Sequence, residues 1–241
     1  MNKISPITTI RGHSFYTVLV NRDSIIVDLG AHKGEFSAEM GRRFGCKCYA
    51  VEALPTLFER IDETLLLHKF NYAMSECDGP VELYVSQNLE GNSIKALSDG
   101  GGSVTVDGLT LESLMEKVGI NTIELLKMDV EGAEIGIFEA SSDATLERIS
   151  QITVEFHDFL PDVVSVQQVE RIKERLLELD FYMIKFSRAL NTDVLFINKK
   201  RSRISTAEYW YIKFVLKYFR GIARILQKIL SEKSSSLPLR T

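Results

Sequence analysis

The sequence predicts an α/β domain: a mostly parallel sheet with helices on both faces and one antiparallel strand near its end. Three observations predict it. From residue 24 onward, short apolar runs alternate with segments of helical spacing, the pattern of strand–helix–strand units. Two of the runs, "SIIVDLG" (24–30) and "IELLKMD" (123–129), are close to continuously apolar, as strands buried on both faces are. The last two strand-like segments, 181–187 and 192–198, are separated by a short turn, which favours an antiparallel pair.

The elements follow in order. Residues 7–20 (ITTIRGHSFYTVLV) read as a short hairpin turning at Gly12. After the strand at 24–30, "GEFSAEMGRRFG" (34–45) has helical spacing and a glycine stop at Gly45. "CKCYAVEA" (46–53) is the second strand. "PTLFERIDETLLLHKF" (55–70) reads as a helix with proline in its first turn, and "NYAMS" (71–75) as the third strand. "PVELYVS" (80–86) alternates apolar and polar residues and reads as a half-exposed strand. The polar, glycine-rich stretch 87–102 reads as a mobile loop suited to cover a substrate, and "SVTVDG" (103–108) as a further strand. "TLESLMEKVG" (110–119) is a helix capped by Thr110 and stopped by glycine. Then come the strand 123–129, a helix near 133–140, a strand at 149–159, a helix at 163–180 and the two closing strands.

The chain has 241 residues, 45% hydrophobic and 26% charged, an ordinary globular balance. No basic start precedes an apolar run, so a secretory signal is not expected. No stretch of about 18 uncharged apolar residues occurs, so no spanning helix is expected either. The three cysteines, Cys46, Cys48 and Cys77, lack a partner set for zinc. They are expected to be reduced thiols in a cytoplasmic protein, with Cys46 and Cys48 on opposite faces of their strand.

Charge divides the chain into a body, 1–198, and a tail, 199–241. From Lys199 onward eleven Lys and Arg stand against two Glu, whereas the whole chain has a net charge of −4. Within 207–230, Lys213, Lys217, Arg220, Arg224 and Lys228 recur at helical spacing among aromatic and aliphatic residues. They fall within an arc of roughly 80° on a helix. Such a basic amphipathic helix suits an anionic membrane surface, here the inner membrane face. Packing on the chain's own acidic body or in a homodimer is the alternative, and a nucleic-acid partner is not expected.

Two motifs carry chemistry. In "VDLGAHKGEF", Asp28, Gly30 and Gly34 lie between a strand and a helix, where small residues let backbone approach a ligand. The spacing is not the dinucleotide G-x-G-x-x-G, and the GK[ST] of a phosphate loop is missing. Glu52 ends the second strand 24 residues after Asp28, where a carboxylate can accept both hydroxyls of a ribose.

These residues, with "VEALP", "NYAMSECDGPVELYVS", "TLESLMEKVG", "ELLKMDVEGAEIGIFE", "ITVEFHDF" and "DVLFIN" in that order, resemble the FkbM family of S-adenosylmethionine-dependent methyltransferases over roughly residues 24–198. The "KMDVEGAE" block is the most specific part. The resemblance implies the class I methyltransferase fold, a Rossmann-like seven-stranded sheet with one antiparallel strand, here followed by the C-terminal amphipathic helix. It implies S-adenosylmethionine as cofactor. Asp28, Gly30, Ala31, His32 and Gly34 would line its methionine end, and Glu52 would hold the ribose. Ala53 and Leu54 would border the adenine, with Ala73 and Met74 closing that pocket from the third strand. His32 stands where many members carry asparagine or glycine.

In the implied strand order two pairs meet at the carboxyl edge of the sheet: Asp129 with Glu131, and Glu155 with His157. Residues two apart share a face in extended chain. Three jobs suit them. His157, or else Asp129, could take the proton of an acceptor hydroxyl. Together the four could bind a divalent metal. They could also position sugar hydroxyls. Glu134 is set apart as a helix-dipole partner. The expected function is O-methylation of a hydroxyl on a saccharide, glycan or lipid-linked glycan. The alternatives are another Rossmann-like nucleotide-cofactor enzyme and a non-catalytic membrane-associated module.

Overall fold

The computed structural model describes residues 6–84, 102–160, 163–188 and 190–216. The chain divides into two compact units, Met1–Ser202 and Arg203–Thr241. In the first unit, β1 (Ile7–Ile10) and β2 (His13–Tyr16) form a hairpin. Its two turn residues, Arg11 and Gly12, have φ of 47° and 89°, the signs of a type I′ turn, whose twist suits a two-residue hairpin. Next come β3 (Ile25–Leu29), α1 (Glu35–Phe44), β4 (Lys47–Val51), the single turn α2 (Pro55–Phe58) and β5 (Leu67–Phe70). Three short strands follow: β6 (Ala73–Met74), β7 (Gly79–Tyr84) and β8 (Ser103–Leu109). Then come α3 (Leu111–Lys117), β9 (Leu125–Met128), α4 (Glu134–Ala140), α5 (Asp143–Leu146) and β10 (Gln151–Val154). The unit closes with α6 (Val166–Glu178), β11 (Phe181–Lys185), β12 (Val194–Asn198) and α7 (Lys199–Ser202). Thr110 caps α3 as expected, its hydroxyl accepting from Ser113 N at 3.2 Å, and Ser165 and Gln168 form a capping box on α6.

Seven strands pair in the order β11–β12–β10–β9–β3–β4–β5. β12 runs antiparallel to both neighbours, β10 and β11, and the other pairs are parallel. Alternation along each strand feeds a core on each face. Val27, Leu29, Leu126 and Met128 join one cluster with α3, α4 and α6 residues; Ile26 and Leu125 join the other with Phe36 and Met40 of α1 and Phe15 of the hairpin. Burying each such side chain stabilises by about 1.5–3 kcal/mol, so the strands are held from both sides. The parallel register sets Asp28 opposite Lys127, which places a carboxylate beside an ammonium in the middle of the sheet.

The structure corrects several expectations. Residues 55–70 are not one helix. Leu65 is 93% exposed, and β5 pairs with β4 as the third strand of the main sheet. Ala73 and Met74 instead belong to a separate three-stranded sheet, β6–β8–β7. The expected strands 123–129 and 149–159 end in β structure at Met128 and Val154. Cys46 and Cys48 are both buried in one cluster with Met40, because residues two apart face the same way. The loop 87–102 lies, but for Gly102, outside the described residues.

In the second unit, α8 (Thr206–Trp210) is capped by the Ser205 hydroxyl, and a π-helical stretch Tyr211–Leu216 continues it. Trp210 and Phe214 stack at 5.1 Å, with Lys213 5.3 Å above the Trp210 ring. The rest of the expected helix 207–230 lies outside the described residues. Among those described, no helix is long and apolar enough to cross a membrane.

Candidate active site

A cavity of about 340 Å³ opens at the carboxyl ends of β3, β4 and β9, the edge at which open α/β sheets bind ligands. Its floor is the turn after β3. There Gly30 N and Ala31 N both donate to Val51 O, at 3.0 and 2.9 Å. Gly30 has φ of 74°, and a Cβ on it would lie 1.7 Å from the Asp129 carbonyl oxygen. Glycine is therefore required by the passage of the chain after β9. His32 has φ of 54°, a left-handed conformation that asparagine and glycine adopt most cheaply. Its N–H donates to Glu52 Oε2 at 2.8 Å, and Leu54 N donates to Oε1 at 2.9 Å. Burial pushes the Glu52 carboxyl above its ordinary pKa, against the pull of these two N–H groups and of Lys127.

Gly30, Ala31, His32 and Glu52 line the cavity, as do Ala53, Ala73 and Met74. Of the residues nominated for cofactor binding, three do not. Asp28 is fully buried beneath the turn, Gly34 abuts Ile61, and Leu54 contributes its backbone to Glu52.

A charged network joins the cavity floor to the strand ends. Asp28 accepts from the Ser37 hydroxyl at 2.7 Å and lies 3.1 Å from Lys127 Nζ. Lys127 also donates to Gly30 O at 2.7 Å and Leu29 O at 3.3 Å, and reaches Asp129 at 3.7 Å. Burial opposes the charge on Lys127, yet Asp28 and Asp129 outweigh it and raise its pKa. Burial likewise opposes ionisation of Asp129. His13, Lys127 and His157 overcome that and hold its carboxyl well below the usual range.

Asp129 and Glu131 line the cavity. They and the pair Glu155 and His157 lie beyond the strand ends, in turns that fold toward each other; Glu131 has φ of 52°. His157 Nε2 is 3.1 Å from Glu131 and 3.7 Å from Asp129, while Nδ1 donates to Glu134 Oε1 at 2.7 Å. Burial alone would depress the ring's pKa, but the bonds to Glu131 and Glu134 push it up to about 11. The two carboxylates thus favour the protonated ring, in which both nitrogens donate. Glu134 does begin α4, but it is fully buried and also accepts from Val130 N and Gly132 N, both at 3.2 Å. Glu155 differs from the rest. Burial, and then the charge of Asp129, raise its pKa.

His13 was not nominated from sequence. It lines the cavity, and its Nε2 is 3.4 Å from Asp129 Oδ2. The hairpin that carries it is pinned to the main sheet by two buried side chains. Ser14 N and its hydroxyl donate to Asp193 at 3.0 and 2.7 Å. The Gln151 amide accepts from Tyr16 N at 2.8 Å and donates to Tyr16 O at 3.1 Å. Two overlapping groups, His13–Asp129–Glu155 and Asp129–Glu131–His157, bring potential metal-ligand atoms within 4.8 Å of one another.

The sheet order, the glycine turn after β3 and the carboxylate at the tip of neighbouring β4 are those of the Rossmann-like class I methyltransferase fold. Residues 28–183 match the methyltransferase FkbM domain, and the chain belongs to that family. Methyltransferase sdnD of Sordaria araneosa is 26% identical over 182 residues, covering 59% of this chain and 70% of that protein. Methyltransferase 1 of Beauveria bassiana (strain ARSEF 2860) is 26% identical over 172 residues, covering 60% of this chain and 69% of its own. Among solved structures, TrmK of M. capricolum in complex with S-adenosyl-homocysteine aligns with a TM-score of 0.42 at 13% identity, over 89% of this chain and 84% of that one. An rRNA methylase from Streptococcus thermophilus aligns at 0.41 and 13%, over 76% and 90%.

Proposed function

We propose that this methyltransferase acts on a hydroxyl of a saccharide, glycan or lipid-linked glycan. One observation carries the reading: His13, Asp129 and Glu131 line the same cavity as Glu52, and Glu155, outside that lining, groups with His13 and Asp129. Carboxylates bind sugar hydroxyls and can accept a hydroxyl proton.

The residues of the cavity fit the cofactor. A carboxylate offers about four acceptor positions; the N–H groups of His32 and Leu54 use two on Glu52, which leaves one on each oxygen for a ribose diol. Ala53, Ala73, Met74 and Leu83 give an apolar wall for the adenine. Gly30 and Ala31 admit the methionine part, while Asp28 acts from below by holding Lys127. The bound cofactor supplies an electrophilic methyl group on a sulfonium sulfur.

The chain's own work is to align an acceptor oxygen with that methyl group and to take its proton. Asp129, ionised and on the cavity wall, orients the hydroxyl. Glu155 receives the proton. Burial and the charge of Asp129 raise its pKa above the ordinary value, and among the described residues its carboxylate takes part in no hydrogen bond or ion pair. His157 holds Glu131 in place. The test is transfer of a labelled methyl group to a panel of saccharides, with release or retention of the label in alkali. An alkali-stable methyl ether is expected; transfer only to amines, thiols or carboxylates refutes the reading. Glu155→Gln should lower kcat by about 10²–10⁴ and leave the Kd for S-adenosylhomocysteine unchanged.

A second reading rests on one His–carboxylate group. Asp129 and Glu155 offer oxygen ligands of the kind Mg²⁺ and Mn²⁺ take, with the His13 imidazole beside them, and such a cation would acidify the hydroxyl. Full activity in excess chelator would exclude it.

A further inference from the structure

The hairpin turn and the start of α1 carry an unexplained ion pair. Arg11 Nη2 lies 3.1 Å from Glu35 Oε2, and both side chains line the cavity. They are 60% and 50% exposed, so the pair contributes little to stability and the fold does not account for it. The backbone argues the same way. Arg11 has φ of 47° at a turn position where asparagine, aspartate or glycine costs least. The chain nevertheless places a long cationic side chain there.

The position of the pair says what it can meet. β3 lies between β4 and β9 in the sheet. Glu52 follows β4, on one side of the glycine turn. The hairpin is fixed on the other side, to Gln151 and Asp193 of the β10–β12 half, and packs on α1 through the Phe15–Phe36 contact at 6.5 Å. A cofactor whose ribose sat at Glu52 would turn its other end across the Gly30 turn, toward the side of the cavity that Arg11 and Glu35 line. That end is an amino acid: an α-carboxylate and an α-ammonium on one carbon. A guanidinium and a carboxylate side by side present the complementary charges.

We propose that Arg11 and Glu35 bind the zwitterionic methionine end of S-adenosylmethionine, Arg11 taking the α-carboxylate and Glu35 the α-ammonium. The assignment rests on the cofactor reading of the cavity. It makes the hairpin, which precedes the family's matched region, part of the cofactor site.

The test compares two probes by calorimetric titration of the full chain: S-adenosylhomocysteine, which has the amino-acid end, and 5′-methylthioadenosine, which lacks it. Arg11→Gln and Glu35→Gln should each weaken S-adenosylhomocysteine about tenfold or more and change methylthioadenosine by less than about twofold. The double variant Arg11→Glu/Glu35→Arg restores an ion pair with its poles exchanged, and should bind S-adenosylhomocysteine as poorly as the single variants. Unchanged binding of S-adenosylhomocysteine, equal weakening of both probes, or recovery in the exchanged pair each overturns the proposal. Failure of the unsubstituted chain to bind either probe overturns the cofactor reading as well.

Discussion

Lys127 is the side chain on which the site's electrostatics turn, and Lys127→Met tests that directly. The substitution keeps an unbranched chain, one atom shorter, and removes the ammonium. Asp28, wholly buried and 3.1 Å away, would keep one hydroxyl donor, Ser37, and lose its counter-ion. The Gly30 carbonyl would lose the Lys127 donor as well, while Leu29 O would keep its bond from Asp129 N. Breaking one side of a buried ion pair costs about 3–5 kcal/mol, because the remaining charge stays desolvated. For a unit of about 200 residues each kcal/mol shifts Tm by about 2–4 °C, so a fall of about 6–20 °C is expected. Calorimetric or fluorimetric melting at pH 7 measures it. Asp28→Asn/Lys127→Met should recover part of the loss, since the orphaned charge is gone, with a coupling of about 1–3 kcal/mol. A shift for Lys127→Met below about 2 °C, or strictly additive behaviour in the double variant, would refute the reasoning.

Three further outcomes are expected. The proton on His157 is bound more tightly in the folded chain, its pKa rising from 6.5 to about 11. Its stabilisation is therefore complete below about pH 6.5 and lost as pH climbs toward about 11; nitrogen NMR should show both ring nitrogens protonated at pH 9, and a ring titrating near neutrality contradicts this. Gly30→Ala should destabilise by about 3–5 kcal/mol because its Cβ would strike the Asp129 carbonyl. Gly119→Ala, with φ of 69° but nothing within 4 Å, should cost only about 1–2 kcal/mol; similar losses at both sites in denaturant titrations would remove the clash from the account. In the tail, glutamate at Lys213, Lys217 and Arg220 should reduce flotation with anionic liposomes, and unchanged flotation argues for packing on protein.

The sheet was legible where burial is two-sided. Runs such as Ile25–Leu29 have one physical explanation, and the glycine turn and Glu52 followed from strand ends alone. The reading failed where periodicity does not discriminate. "LLLHKF" suits a buried helix turn as well as a four-residue strand, and only pairing with β4 decides. Lys127 carried a signal that was underused: a lone cation inside an apolar strand needs a buried partner. His13 carried none. Its role depends on Asp129, 116 positions away, brought near by a hairpin whose anchors are Gln151 and Asp193. His157 is legible as a strand-end residue, whereas its contact with the buried Glu134 of the α4 first turn is not, since it depends on how the turns after β9 and β10 fold together.

The way the hairpin is attached has a consequence for inheritance. The Gln151 amide grips the main chain of Tyr16 in both directions, as a neighbouring peptide would, and Asp193 takes the main chain of Ser14. A grip on backbone is indifferent to most of the letters it holds. Arg11, exposed at the turn, can therefore change without loosening the hairpin, whereas the buried His13 and Phe15 are tied to what they meet beneath, Asp129 and Phe36. The hairpin thus joins an inner face fixed by the sheet to an outer position whose side chain only the cavity constrains.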